Sequence, residues 1–238
     1  MSGRCKAPYI HHTISRLLSP RLCLCCDRPG VDALFLCPQC AASLPRVVHA
    51  CDLCGLPNMA GGNTCAACQL NPPPWQRMRA PLAYDGITRR LIRDFKFHEK
   101  LYIGRALVEL LHDAFNPAQV DALIPVPLHR QRLIERGFNQ SAEIAGLLAR
   151  ELGIALDTRS LQRLRATEPQ SGLSLNRRRH NLRGAFSWQS QFSYRCVAIV
   201  DDVITTGSTM TEITRTLQRA GIQQIQVWGL ARALKDTA

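Results

Sequence analysis

Four Cys-x-x-Cys pairs follow one another early in the chain: Cys23/Cys26, Cys37/Cys40, Cys51/Cys54 and Cys65/Cys68, with ten residues between each pair and the next. This array constrains the fold more than any other feature. Two intervening residues let both thiolates of a knuckle reach one tetrahedral ion at about 2.3 Å, and two knuckles complete four-coordination. Eight ligands therefore predict two closed, structural zinc sites. A single pair would also suit a thioredoxin-type redox motif, but four in a row with no βαβ pattern around them argue for metal. Iron–sulfur ligation is the rival chemistry. Even spacing leaves two pairings open, neighbouring knuckles or alternate, cross-braced ones. Neighbours are preferred because each loop closure is then short. Gly55 follows the third knuckle and Gly61-Gly62 lie in the last connecting loop, where glycine eases tight turns. Cys5, Cys25 and Cys196 read as free thiols. With every coordination position filled, the metal stabilises a fold and performs no catalysis.

Eleven cysteines in 238 residues do not make a disulfide framework here, because such frameworks belong to short secreted chains. No run approaches the roughly 18 apolar residues that cross a bilayer. The N-terminus lacks the apolar core and cleavage site of a signal peptide. A cytoplasmic chain is expected, with the inner face of the membrane as an alternative suggested by the amphipathic spacing of Ile10, Ile14, Leu17 and Leu18. The formal charge of +12 points to polyanionic partners. Two tetrathiolate zinc sites of net charge about −2 each lower it to about +8.

Composition then shifts. Residues 1–20 form an N-terminal tail and 21–71 the cysteine module. Residues 72–79, with three prolines, read as a semi-rigid linker. Residues 80–238 form an α/β domain. Residues 80–84 start with a strand. Ile103, Leu107, Leu110, Leu111 and Ala114 share one helical face. Residues 122–128 form a short buried strand. Ser141 opens a helix that turns Ile144, Leu147, Leu148 and Leu152 inward and ends at Gly153. A buried strand over 195–202, a helix over 209–220 and a last strand complete the alternation. Such alternation predicts a mostly parallel sheet with helices on both faces.

The segment from Val197 to Met210 carries the chemistry. An apolar run ends in Asp201 and Asp202, then Thr205, Thr206, Gly207, Ser208 and Thr209 lead into a helix. Ligands of open α/β sheets bind at the carboxyl ends of strands. Loop amides, hydroxyls and the helix N-terminus suit an anion, while paired carboxylates accept hydrogen bonds from vicinal hydroxyls. A sugar phosphate satisfies both. A Walker B strand is the rival reading, but no G-x-x-x-x-G-K-[ST] motif accompanies it.

This segment resembles the phosphoribosyl-pyrophosphate (PRPP) loop of type I phosphoribosyltransferases. From about residue 20 to 234 the chain is similar to the ComF/GntX family. The cysteine knuckles, the run IPVPLHRQRLIERGFNQ (124–140) and the basic region from Gln170 to Asn181 carry that closer match. The resemblance implies that Asp201 and Asp202 meet the ribose hydroxyls, with Mg²⁺ accompanying PRPP, and that Thr205 to Thr209 hold the 5′-phosphate. Val126, Pro127 and Leu128 would match the pyrophosphate loop, with Arg130, Arg132 and Arg136 just beyond. Arg165 to Arg183 would be the loop that covers the site. It also implies an association with uptake of single-stranded DNA beside a helicase or recombination protein. Two functions are thus expected. One is a sugar-phosphate-binding accessory to DNA uptake, in which Phe186, Trp188, Phe192 and Tyr194 are candidates for base stacking. The other is an active transferase moving ribose 5-phosphate from PRPP to a nucleobase or amine. No base-binding element or general base stands out in the sequence.

Overall fold

The computed structural model describes residues 22–28, 35–97, 100–165 and 183–234. The N-terminal tail and most of the Arg165–Arg183 segment, with Arg177, Arg178 and Arg179, lie outside the described residues. The chain divides into two compact units, 1–43 and 44–238. The first holds the Cys23 and Cys37 knuckles and the short helix α1 (Pro38–Ala42), whose N-cap is Cys37. The Cys37 amide donates to Cys23 Sγ at 3.3 Å, which folds one knuckle onto the other.

The second unit holds the Cys51 and Cys65 knuckles, helix α2 (Ala66–Leu70) and the α/β domain. Within the stretch expected as a linker, Arg77–Arg79 form β1 of the main sheet. Strand β2 (Leu82–Ala83) leads into α3 (Gly86–Phe97) and α4 (Leu101–Leu111). After β3 (Ala122–Pro125) come α5 (Arg130–Arg136), α6 (Gln140–Leu152) and β4 (Ala155–Leu156). A two-stranded antiparallel ribbon, β5 (Leu161–Arg163) and β6 (Phe186–Trp188), precedes β7 (Cys196–Ile204), α7 (Ser208–Arg219) and β8 (Gln224–Arg232).

The main sheet runs β1-β8-β7-β3-β4, with β2 also on β8, and every pairing in it is parallel. The central strand β7 is buried along its length except at Asp201, as expected for a strand covered on both faces. On one face α7 sets Met210, Ile213 and Leu217 against Val197, Ile199, Ile225 and Val227, joined by Trp75 and Phe186. Elsewhere α6 packs on β7 and β3 and α4 packs on α6, while the rings of Phe115 and Trp228 meet at 5.1 Å. Helices α3 and α4 approach closely at Gly104, where an added Cβ would fall 2.9 Å from the Phe95 ring.

Local chemistry explains the boundaries. Asn139, not Ser141, caps α6: its side chain accepts from the amides of Ser141 and Ala142, and Gly153 closes the helix in the left-handed region. The ends of the Arg165–Arg183 segment are held together. Leu164 donates to the Ala185 carbonyl at 2.8 Å, and Arg165 Nη2 donates to the Arg183 carbonyl. No helix among the described residues is long and apolar enough to cross a membrane.

Candidate functional site

The carboxyl end of β7 brings the two acids to the edge of the sheet. Asp201 lies opposite Gly229 of β8, where a side chain would strike Ile204. One Asp201 oxygen accepts from Ser141 Oγ at 2.7 Å and from the Asp202 amide at 3.0 Å. Ser141 is aimed by its helix cap, since Asn139 Nδ2 also donates to the Val126 carbonyl at 3.0 Å. Asp202 is 5% exposed. One of its oxygens accepts from the Val203 amide at 2.6 Å, and the other pairs with Lys96 Nζ at 2.8 Å. The two carboxyls differ in their partners. Desolvation and the adjacent Asp202 push Asp201 up to about 7, against the opposing pull of Ser141 and Lys96. Desolvation also works against a charged Lys96, but Asp202 first and then Asp201 outweigh it and raise the ammonium above its ordinary value.

Beyond the acids, Thr205 and Thr206 are exposed and Gly207 and Ser208 are buried. Gly207 takes a φ of 76° and lies under the Trp75 ring. That left-handed conformation is open to glycine at little cost. Thr206 Oγ1 and Ser208 Oγ share a hydrogen bond of 2.9 Å. Helix α7 starts at Ser208 with no side-chain cap, so its positive end faces the turn. A cavity of about 370 Å³ opens there, lined by Trp75, Thr206, Gly207, Ser208, Arg215 and Arg232 among others. Asp201 and Asp202 are not in its lining. Thr209, half-buried, follows in the first turn of α7.

The segment expected as a pyrophosphate loop follows β3. Val126 is buried and its amide donates to the Val200 carbonyl at 2.9 Å, while Pro127 is half-buried. Arg130 and Arg136 stand at opposite ends of α5; Arg130 is exposed, and Arg136 donates to Gln140 at 3.3 Å. Of the four candidate stacking aromatics, Phe186 is in the core with Trp188 and Tyr194 packed on it, and Phe192 is exposed.

The eight knuckle cysteines form two groups, Cys23/Cys26/Cys37/Cys40 and Cys51/Cys54/Cys65/Cys68, each with all sulfurs within 4.8 Å of one another. Neighbouring knuckles therefore pair. The sulfurs of Cys26 and Cys37 lie 3.8 Å apart, and so do those of Cys54 and Cys65. These separations suit the edges of a tetrahedron whose metal–sulfur bonds are about 2.3 Å long. Burial opposes ionisation of Cys23 and Cys51. Backbone amides directed at their sulfurs outweigh it and bring Cys23 to about 6 and Cys51 to about 7. The remaining pull is upward: Cys40 is raised by Cys37 and Cys26, and Cys68 by burial and then Cys54. A divalent ion reverses that resistance, which is the chemistry of a closed zinc site.

A double zinc ribbon domain profile matches residues 14–69. The chain is 37% identical over 226 residues to "DNA utilization protein YhgH" of Salmonella typhimurium, covering 92% of this chain and all of that protein. It is 38% identical over 208 residues to "Competence protein F" of Haemophilus influenzae, covering 83% and 90%. The chain belongs to the ComF/GntX family. A more distant member, "Competence protein ComFC" of Bacillus subtilis, is 25% identical over 229 residues, covering 84% of this chain and 90% of that one.

In this ComF/GntX chain, sequence reasoning missed Lys96, Ser141 and Arg232. Nothing local marks Lys96 as the partner of Asp202, or Arg232 as a contact of the turn. Helix α3, which carries Lys96, did leave a signal. Asp85 accepts from the Gly86 amide at 2.7 Å, and the buried Thr88, Leu91, Ile92 and Phe95 follow helical spacing. Arg163 of β5 is a further cation near the acids, its charge opposed by desolvation and Arg132 and favoured by Asp201.

Proposed function

We propose that this chain binds PRPP, or a related sugar phosphate, at the turn between β7 and α7, and that it assists the handling of incoming single-stranded DNA in natural transformation. The observation that carries the ligand reading is the hydroxyl-lined turn, Thr205 to Thr209, at a helix N-terminus beside a cavity and directly after two acids. In this reading the turn takes the 5′-phosphate and Asp201, the more exposed acid, accepts from ribose hydroxyls. Lys96 pairs with Asp202 behind it. Arg130 and Arg136 approach the diphosphate, with Val126 and Pro127 shaping the loop, since the Val126 amide and carbonyl are taken by Val200 and Asn139. Mg²⁺ would accompany PRPP and would offset the negative charge of its diphosphate.

The DNA part rests on the names carried by relatives, competence protein and DNA utilization protein, and on charge. Exposed Arg89, Arg90 and Arg93 on α3 continue toward Lys96 at the acids, and such a row suits a phosphate backbone. A helicase or recombination protein is the expected protein partner. A transferase reading uses the same acids and turn. Pyrophosphate release with a panel of bases, abolished in Asp202→Ala, is its signature.

The binding test is thermal. PRPP with Mg²⁺ at about 100 times its dissociation constant raises stability by about 2.7 kcal/mol by mass action, and a melting temperature unchanged by PRPP removes the ligand reading. In parallel, affinity for a single-stranded oligonucleotide falls steeply between about 50 and 200 mM salt. Absent or salt-insensitive binding removes the DNA reading.

A further inference from the structure

The phosphate turn is built onto the second cysteine site. Arg232, the last residue of β8, is 7% exposed and spends its donors on main-chain oxygens. Its Nη1 donates to the carbonyls of Ile204 and Ala233, each at 2.9 Å, and to that of Thr205, while Nε donates to the carbonyl of Cys54 at 2.7 Å. One buried guanidinium thus joins a zinc-ligand residue to the two residues that open the turn. Trp75 makes a second bridge. Its indole N–H donates to the Leu53 carbonyl at 2.7 Å, and its ring lies on Gly207, 3.2 Å from where a Cβ would sit. A third tie runs from the Met78 amide to the Asp52 carbonyl at 2.7 Å, and Met78 belongs to the same buried cluster as Trp75.

These acceptors, Asp52, Leu53 and Cys54, are consecutive residues of one knuckle, and a knuckle keeps its backbone path only while its sulfurs share an ion. A loosened knuckle would therefore withdraw the Cys54 carbonyl from this buried guanidinium. We propose that the metal held by Cys51, Cys54, Cys65 and Cys68, acting through Arg232 and Trp75, sets the order of the 204–208 turn and through it the turn's grip on a phosphate group. Arg232 and Trp75 are positioning residues in this scheme. The effect on affinity rests on the ligand reading above; the effect on order does not.

Hydrogen exchange on the full chain separates the two. Cys65→Ser is expected to lower bound zinc by about one per chain and to speed amide exchange across 204–208 at least about tenfold, while amides 122–124 of β3 stay protected. Trp75→Phe keeps all eight thiols and both zincs yet loses the indole N–H bond, and the same local acceleration is expected. It carries the test if Cys65→Ser fails to fold, shown by loss of β3 protection. Loss of the metal, or of the indole bond, with unchanged exchange in the turn overturns the proposal. PRPP with Mg²⁺ is then titrated against each protein, and an affinity about tenfold weaker in both variants is expected. Equal affinity overturns the effect on phosphate binding. If the unmodified chain ignores PRPP while the exchange effect is present, the ligand reading falls and the control of turn order by metal stands.

Discussion

Asp201 and Asp202 are adjacent in the chain and differ in what holds them. Asp202 has the Lys96 ammonium at 2.8 Å, whereas Asp201 has a hydroxyl and an amide. Asp201 therefore absorbs the cost of a second negative charge nearby. It is held up to about 7 in the folded chain and titrates at about 4 when unfolded, so the folded state binds its proton more tightly. Its contribution to stability is present below about pH 4, declines as pH rises through about 7, and is a penalty above that. Asp201→Asn should therefore flatten the stability profile between about pH 4 and 8 and leave the variant more stable at pH 8 by on the order of 1–3 kcal/mol. Urea unfolding at pH 5 and pH 8 measures this; an identical pH slope in both proteins would refute it. The sequence displays the acids as a pair. Their different partners, Ser141 and Lys96, approach from distant parts of the chain.

At the scale of elements, α3 is docked by its far end. Phe95 fits against Gly104 of α4 and against the Phe138 ring at 5.9 Å, and this seats the next residue, Lys96, over the tip of β7. Removing the ammonium leaves a buried carboxylate without its partner, a far larger cost than loss of a surface pair. Lys96→Met should destabilise the fold by about 3–5 kcal/mol, and adding Asp202→Asn should recover most of that loss. Chemical denaturation of the single and double variants checks it, and additive losses would show that the pair does not act as a unit. Strand β7, helix α7 and the turn between them were legible because each rests on local chemistry: an apolar run, a glycine, a row of hydroxyls. Helix α3 was less so. Its apolar spacing is regular, but its four cations among twelve residues obscure the inward face.

At the scale of the whole molecule, metal and apolar burial divide the work. The knuckles contribute few large buried side chains, so two ions must organise what a core organises in the α/β domain. Metal analysis of purified protein should find about two zincs per chain, with no visible absorbance; iron and a coloured protein would replace zinc by clusters. The boundary between the two compact units falls at Ser43 and Leu44, within the cysteine-rich region. The second site belongs with the α/β domain because Met78, Trp75 and Arg232 bond to its knuckle. Proline content marked residues 72–79 as a linker, yet Gln76 to Arg79 align on β8, an edge that hydropathy cannot reveal.

By itself the amino-acid order determined the eight cysteine ligands as four knuckles, the alternation that makes a mostly parallel sheet, and the strand–turn–helix that carries acids and hydroxyls. All of these depend on residues within a few positions of one another, where spacing is geometry. Only the tertiary structure decided which knuckles share a site, that Lys96 holds Asp202, that Ser141 meets Asp201, and that Arg232 and Trp75 join a cysteine knuckle to the 204–208 turn. Those contacts link distant segments, and their energies come from burial and charge pairing, which exist only once the chain has closed around them.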